Sequence, residues 1–533
     1  MYSSYNSLQQ SQLAAQGYYD TQSTYLLVYA PGRNTALRAT LADQLHRKFR
    51  LADTLGSALT EGVDGVLLVS EDVECMSTAL MCFAKALQDG ADYAVCNAVF
   101  GFGGATALYQ SRAHLAQNRC ALVSRPLLER CRAAAKDPEN VTELLALAAQ
   151  FCAHPARIPQ ALLHYERDIC AEDAFSATGK RAFLMSHVLD MTGAPIVLVS
   201  AVPVLRSMGY EVVVLGPSDG GALQLFVDAG AAVITRPGIR ATPNLWGLAL
   251  CTDLVLVNTV VMARTVRALS GTAVPVLWWL HDAFAGYPHI AHQIPTQLGE
   301  NVRVYSVGSH AANAMHAVRP DFEIRPLIYG LPDYAAENFV CTDLGYNRGR
   351  PLFATVGSFE RRKGHDIFCK AIRLLPPEVR EKASFLFVGQ AADKEMMDSV
   401  RALTADYPEN VYYCKRLTRD EIKSLMEQCT GLVCASRDDP MPTFVTEGLI
   451  FGKPSIVSEH TGTAGLISEG RNGFVYHNDD PQQLAVLLEY AIEHPEELAS
   501  MRTECRKMYE QYYSKEAFEQ TLRAAVEDLT AKK

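Results

Sequence analysis

The chain is 533 residues long, 49% apolar and 20% charged, with a formal net charge of -10; this fits two or three domains with sizeable cores and excludes a general nucleic-acid binder. No apolar stretch approaches the roughly 20 residues that span a bilayer, and the polar N-terminus, rich in Ser, Gln and Tyr, carries no signal-peptide pattern. The 14 cysteines are scattered, without close pairs or His neighbours at metal spacing, so reduced thiols in a cytosolic chain are expected rather than zinc or a disulfide framework.

Residues 1–23 have little apolar periodicity and are expected to form a disordered tail. From residue 25 the pattern turns regular. YLLVYA reads as a strand, 34–49 as an amphipathic helix, and GVLLVS (65–70) as a buried strand running into the acidic turn Glu71, Asp72. Helices at 77–87 and 143–151 and a strand at 91–99 complete a small α/β domain over 24–169. Two neighbouring carboxylates after a strand can coordinate a divalent cation. The polar run 170–181 reads as a linker.

A strand at 182–185, the turn Thr192, Gly193, Ala194, Pro195, a helix at 196–208 and the strand VVVLGP form a Rossmann-like opening. Gly193 permits close approach of a ligand to the backbone, and the helix start behind it can face an anion. The strand ending in GPSDG (216–220), a helix and strand over 226–234 and the strand at 254–257 continue the pattern. VPVLWWLHD (274–282) places His281 at a strand end, where a lone histidine is more often structural. Trp278 and Trp279 must point to opposite faces. A strand at 304–307 then leads into Gly308, Ser309, His310, and IYGLP (328–332) carries a turn at Gly330.

A Gly/Asn-rich hinge over 333–349 leads to a second series. Its first strand (352–356) runs into Gly357, Ser358 and the basic cluster Arg361, Arg362, Lys363, Gly364. Such a cluster entering a helix can neutralise a diphosphate, although a solvated basic loop reads equally well. Strands follow at 385–389, ending on Gly389, and at 411–417, which includes Arg416. The stretch 431–476 alternates apolar runs with Gly- and Pro-marked turns, as buried parallel strands do. It sets Asp439 and Glu447 eight residues apart. Asp438, Asp439 and Met441 fall in a loop, and Thr443, Phe444 and Glu447 in the first turns of the following helix. Glu447 there can accept hydrogen bonds from sugar or ribose hydroxyls. The alternative is solvated acids stabilised by the helix dipole. A helix at 481–494 and others from 497 end the chain.

The 439–462 stretch resembles the donor-site signature of family 4 glycosyltransferases, retaining enzymes of the GT-B fold. In that signature an acidic residue, seven residues and a Glu precede a Gly-Lys/Val-Pro strand and a Gly-rich turn; here these are Asp439, Glu447, residues 452–457, and Thr461 with Gly462. The family usually has Glu at the first position, so Asp439 keeps the charge with a shorter reach. The resemblance implies an α/β GT-B fold of two Rossmann-like lobes, an acceptor lobe over 182–340 and a donor lobe over 341–510, with a C-terminal helix at 511–533 packing back on the first. It implies that Lys363, helped by Arg361 or Arg362, stabilises a leaving diphosphate, that Glu447 orients donor hydroxyls and that Asp439 contacts the sugar. His281 would face the donor sugar and the departing phosphate. Gly193, Gly357, Ser358, Gly389, Arg416, Met441, Thr443 and Phe444 would line the donor. Many members have Arg where this chain has Ser358.

Residues 24–169 resemble part of a family 2 glycosyltransferase, the GT-A type, in which the strand matching GVLLVS runs into a metal-holding Asp-x-Asp. Ser70, Glu71, Asp72 is an imperfect version, so this domain is expected to be degenerate. Asp72 is the candidate metal ligand, and a divalent metal enters only if the domain is active; the GT-B part implies no cofactor and no metal. The activity implied is retaining transfer from a nucleotide diphosphate sugar to a glycan or lipid-linked saccharide in cell-surface polysaccharide synthesis. A lipid-linked acceptor would bring this cytoplasmic protein to the inner face of the plasma membrane. The alternatives are a non-catalytic glycan-binding or scaffold protein, or a phosphorylase or epimerase on the same scaffold.

Overall fold

A computed structural model describes residues 2–56, 58–59, 62–102, 105–110, 119–175, 179–218, 220–239 and 246–531. Asp219, in the turn expected at 216–220, lies outside them. The chain divides into two compact units, residues 1–258 with 264–276, and residues 259–263 with 277–533.

The first unit contains β1 (Leu26–Tyr29), β2 (Phe49–Ala52), β3 (Gly65–Val69), β4 (Glu74–Cys75), β5 (Tyr93–Phe102), β6 (Ala105–Gln110), β7 (Cys120–Ser124), β8 (Pro155–Asp168), β9 (Lys180–Met185), β10 (Tyr210–Gly216), β11 (Ala232–Thr235) and β12 (Leu254–Asn258). Strands β9 to β12 form a parallel sheet in the order β12-β9-β10-β11. Their residues are almost all buried, as expected of strands covered on both faces.

Two expectations fail in this unit. The tail at 1–23 is not disordered over its length: Tyr2–Gln16 is helical, with Leu13 buried and Asn6 accepting from the Ser77 amide at 2.8 Å. The 24–169 region is also not a separate domain. β6 pairs antiparallel with β11, which carries the 24–169 strands into the same sheet as β9–β12. The expected linker includes a short helix at Ala171–Ala174 and then the start of β9. Asp173 in that helix anchors Arg167 at 2.6 Å and Arg119 at 3.0 Å, so an acid of the expected linker is part of an ion-pair network with residues before it.

The second unit contains β13 (Val276–Leu280) from Leu277 on, β14 (Val302–Ser306) and β15 (Ile324–Pro326), then β16 (Leu352–Val356), β17 (Ser384–Val388), β18 (Val411–Cys414), β19 (Gly431–Cys434), β20 (Ser455–Ser458) and β21 (Gly473–Tyr476). The last six form a parallel sheet in the order β18-β17-β16-β19-β20-β21. The chain moves outward from β16 to β18 and then restarts on the other side of β16 at β19. Loops after β16 and β19 therefore flank a topological switch point, where open α/β sheets bind ligands. Strands β9–β15 and β16–β21 are two Rossmann-like lobes of the GT-B type. The first lobe is divided between the two compact units, so the boundary expected at 340 is not where the compact units part.

The C-terminal helix Lys515–Thr530 lies against first-lobe residues of its own unit. Phe518 stacks on Trp279 at 5.7 Å, and Arg325 pairs with Asp528 at 2.8 Å. A side chain at Gly330 would meet the Ser514 carbonyl at 2.8 Å, so this turn admits only glycine.

Candidate active site

The switch point of the second unit brings two sequence-distant groups together. Lys363 Nζ stands 2.6 Å from Asp439 Oδ2, with Asp439 only 3% exposed. Glycine makes the approach possible. Gly364 adopts φ 65°, and a Cβ there would sit 1.8 Å from the Ala435 carbonyl oxygen, so the β16 loop can lie directly on the β19 loop. Arg437 knits the same two loops. Its guanidinium forks onto Asp366, both contacts at 2.8 Å, and donates to the Arg361 carbonyl at 2.8 Å, while its amide donates to the Arg362 carbonyl at 2.7 Å. Burial would push the Asp366 carboxyl up, but Arg437 brings it down to about 2.

Asp439 is fixed from the other side as well. Its amide donates to the His460 carbonyl at 3.1 Å and its carbonyl accepts from Gly462 at 2.9 Å. Oδ1 accepts from the Met441 amide at 3.3 Å. The neighbouring Asp438 accepts from the Phe284 and Ala285 amides at 3.1 and 2.9 Å and from His310 Nε2 at 2.7 Å. One acidic pair thus ties the β19 loop to the cation of the β16 loop and to the loops after β13 and β14.

Glu447 lies on the Thr443–Ile450 helix, 8% exposed. Burial raises its pKa, opposed by Arg419, whose Nη1 is 2.5 Å from Oε1. The Arg419 guanidinium in turn covers the Tyr334 ring at 4.1 Å. Tyr329 donates to Thr443 Oγ1 at 3.4 Å; burial pushes its phenol up to about 12, with the charges of Asp439 and Glu447 adding to the rise.

The remaining expected residues divide. Met441 and Phe444 are buried beside the acids, and Met441 Sδ accepts from the Tyr513 hydroxyl at 3.4 Å. Arg361 is exposed at the mouth of the loop. Arg362 instead pairs with Glu360 at 2.8 Å, and Ser358 donates to the same carboxylate. Burial acts to raise the Glu360 pKa, yet these two partners hold it below the usual value. Gly357 and Gly389 meet backbone to backbone, since a Cβ on Gly389 would sit 1.8 Å from the Gly357 carbonyl oxygen. Gly389 is thus explained by packing at the ends of β16 and β17. Arg416 is exposed, and its carbonyl accepts from Cys414 Sγ at 3.2 Å; it is Arg419 that reaches Glu447. His281 follows β13 with its ring 4.6 Å from Trp279. Gly193 begins the Gly193–Ser207 helix of the first unit, and a Cβ there meets nothing within 4 Å.

The metal reading of Asp72 does not fit. Its carboxylate caps the Thr35–Leu41 helix, accepting from the Ala36 and Leu37 amides at 3.1 and 3.0 Å and from the Thr35 hydroxyl at 3.0 Å. Burial acts to raise its pKa, but these donors hold it below the ordinary value. Glu71 pairs with Arg167 at 2.7 Å and Arg119 at 3.5 Å. Among the described residues no group of three or more His, Cys, Asp or Glu is disposed to hold a metal ion.

Sequence reading missed Arg419, Tyr334, Tyr329 and Arg437. The capping box Thr418/Glu421 marks the start of the Arg419 helix, but nothing local says that the first helical side chain turns toward Glu447.

Two family models match the chain: glycosyl-transferase family 4 over residues 178–318 and glycosyl transferases group 1 over 342–508. Neither reaches into 24–169. An uncharacterized glycosyltransferase of Methanocaldococcus jannaschii is 25% identical over 194 residues, 36% of this chain and 53% of that protein. Spore coat protein SA of Bacillus subtilis is 26% identical over 154 residues, 27% of this chain and 40% of that protein. The matches therefore span about half or less of these curated relatives. In fold, the chain is similar to Anabaena HepE in complex with UDP, with a TM-score of 0.55 and 18% identity, covering 66% of this chain and all of that one. The two lobes, the switch-point site and both family models together identify the chain as a GT-B glycosyltransferase related to family 4.

Proposed function

We propose that the protein transfers a sugar from a nucleotide diphosphate sugar to a hydroxyl of a glycan or lipid-linked saccharide, with retention of anomeric configuration. The observation that carries this reading is the Lys363–Asp439 pair at the switch point of the second sheet. An ammonium held there by a short-reach carboxylate is placed to take up charge developing on a departing diphosphate, with Arg361 free to add a second cation. In the reaction the bond between C1 and the phosphate oxygen breaks as the acceptor oxygen bonds to C1 on the same face. The acceptor proton passes to the departing phosphate oxygen, so no protein base is needed for that step. Glu447, held by Arg419, receives donor hydroxyls, and Asp439 contacts the sugar. His281 donates a hydrogen bond to the donor sugar as positive charge builds at C1.

HepE, similar in fold, has been solved with UDP and with UDP-glucose, so uridine diphosphate sugars head the donor panel. The test is donor hydrolysis and transfer by purified protein across sugar nucleotides. Turnover lost in Lys363→Ala and Glu447→Ala, with unchanged melting, supports the reading. Absence of both turnover and donor binding across the panel overturns it.

A further inference from the structure

Thr259 is a β-branched residue at φ 74°, ψ 161°, a backbone region that side chains with a Cβ rarely adopt. Such a conformation persists only where the surroundings over-determine it. Three hydrogen bonds do so here. Thr259 donates its amide to the Trp279 carbonyl at 2.8 Å, Trp278 Nε1 donates to the Thr259 carbonyl at 2.9 Å, and Val260 donates its amide to Asp282 Oδ2 at 2.5 Å. All three partners belong to β13 and the loop after it, the segment that carries His281. The two tryptophans are fully buried, and Trp279 Nε1 is itself pinned to the Leu327 carbonyl at 2.8 Å, so this side of the clamp is rigid. Asp282 also takes the backbone N–H of His281, and its burial carries an electrostatic cost that a purely packing role would not require.

We infer that Asp282 is a positioning residue: it clamps the strained Thr259–Val260 turn to the loop bearing His281 and so sets the direction of the His281 imidazole. This rests on the proposed place of His281 against the donor sugar. Thr259 is the loaded element and Asp282 the strut. Without the strut the turn relaxes and takes the His281 loop with it; without the strain the strut is dispensable.

The test compares D282A, D282N, T259G and T259G/D282A in the full-length protein. D282A is expected to lower kcat by roughly tenfold or more through misplacement of the imidazole, with the donor KM within about threefold of wild type, since the His281 hydrogen bond forms only as charge builds at C1. D282N keeps an acceptor for the Val260 amide and is expected to retain most of the rate. T259G/D282A, in which glycine holds the turn without strain, is expected to recover most of what D282A loses. The His281 imidazole resonance, assigned by its loss in H281Q, should shift in D282A and return in the double variant. Equal kcat in D282A and wild type, a double variant no faster than D282A, or an unmoved imidazole overturns the clamp. If D282A does not fold, T259G/D282A against T259G decides it: equal rates and imidazole shifts support the clamp, and a deficit opposes it. If wild type neither turns over nor binds any donor of the panel, the proposed function fails, and the imidazole resonance alone decides the clamp.

Discussion

Two acidic pairs follow buried strands in this protein, and they have different fates. Glu71 and Asp72, after β3, are neutralised inside the first unit: Glu71 faces two arginines and Asp72 caps a helix. Asp438 and Asp439, after β19, meet a lysine from the other side of a topological switch point and three donors from the loops after β13 and β14. The chemistry of the side chains is the same. What differs is whether the elements that converge on the pair are packing partners within one side of a sheet or loops that meet at a topological switch point. An acidic pair at a strand end is therefore informative only with its neighbours in view.

The comparison can be broken most directly at Lys363. Lys363→Ala is expected to lower transfer by roughly 10²–10³, the usual cost of removing one preorganised charge-stabilising group, read as kcat in a donor-turnover assay. A change under about threefold would put the Asp439 pair on the same structural footing as Glu71 and Asp72. Next in size, Glu447→Ala should weaken donor binding by about 10–100-fold, the loss of hydrogen bonds to a charged group, measured by titration with the nucleotide sugar. Arg419→Ala should weaken it less and drive the Glu447 pKa further up, because burial then acts unopposed; a donor affinity equal to wild type would reduce the pair to packing.

On the other side of the comparison, Asp72→Ala should cost about 1 kcal/mol of stability, the ordinary worth of a helix cap, visible as a lower melting temperature. Transfer should be unchanged in that variant and after treatment with a chelator. Loss of activity in either would return Asp72 to the role of a metal ligand. A pH dependence of stability is expected at Asp282, whose carboxyl burial pushes up to about 6 from an ordinary 3.8. Folded protein then binds the proton more tightly than unfolded protein. The stability from this group is present below about pH 4 and is lost as pH rises through about 6. Melting curves of wild type and D282N over that window should differ in slope; parallel curves would show that the group titrates normally.

Much of the second lobe was legible from local pattern. Short apolar runs bounded by Gly and Pro became β16–β21, and the spacing of Asp439 and Glu447 put one in a loop and the other inside a helix. Gly364 was visible as the residue after a basic cluster, but its left-handed turn and its contact with the Ala435 carbonyl were not. The 24–169 region misled for a physical reason. Its strands and helices were found, but a strand's apolar pattern does not say which edge it pairs with, so the β6–β11 bond that joins it to the next sheet could not be seen. The helix at Tyr2–Gln16 has weak amphipathicity and left little trace.

The sequence by itself determined the kind of elements, their order, and which acids and bases stand at strand ends, because these depend on residues within one turn of each other. Only the tertiary structure decided that Asp439 faces Lys363, that Arg419 reaches Glu447, and that Asp72 is used up as a helix cap. Each of these pairs joins residues at least 28 positions apart, and such contacts follow from the order of strands in a sheet and the approach of loops that glycine allows.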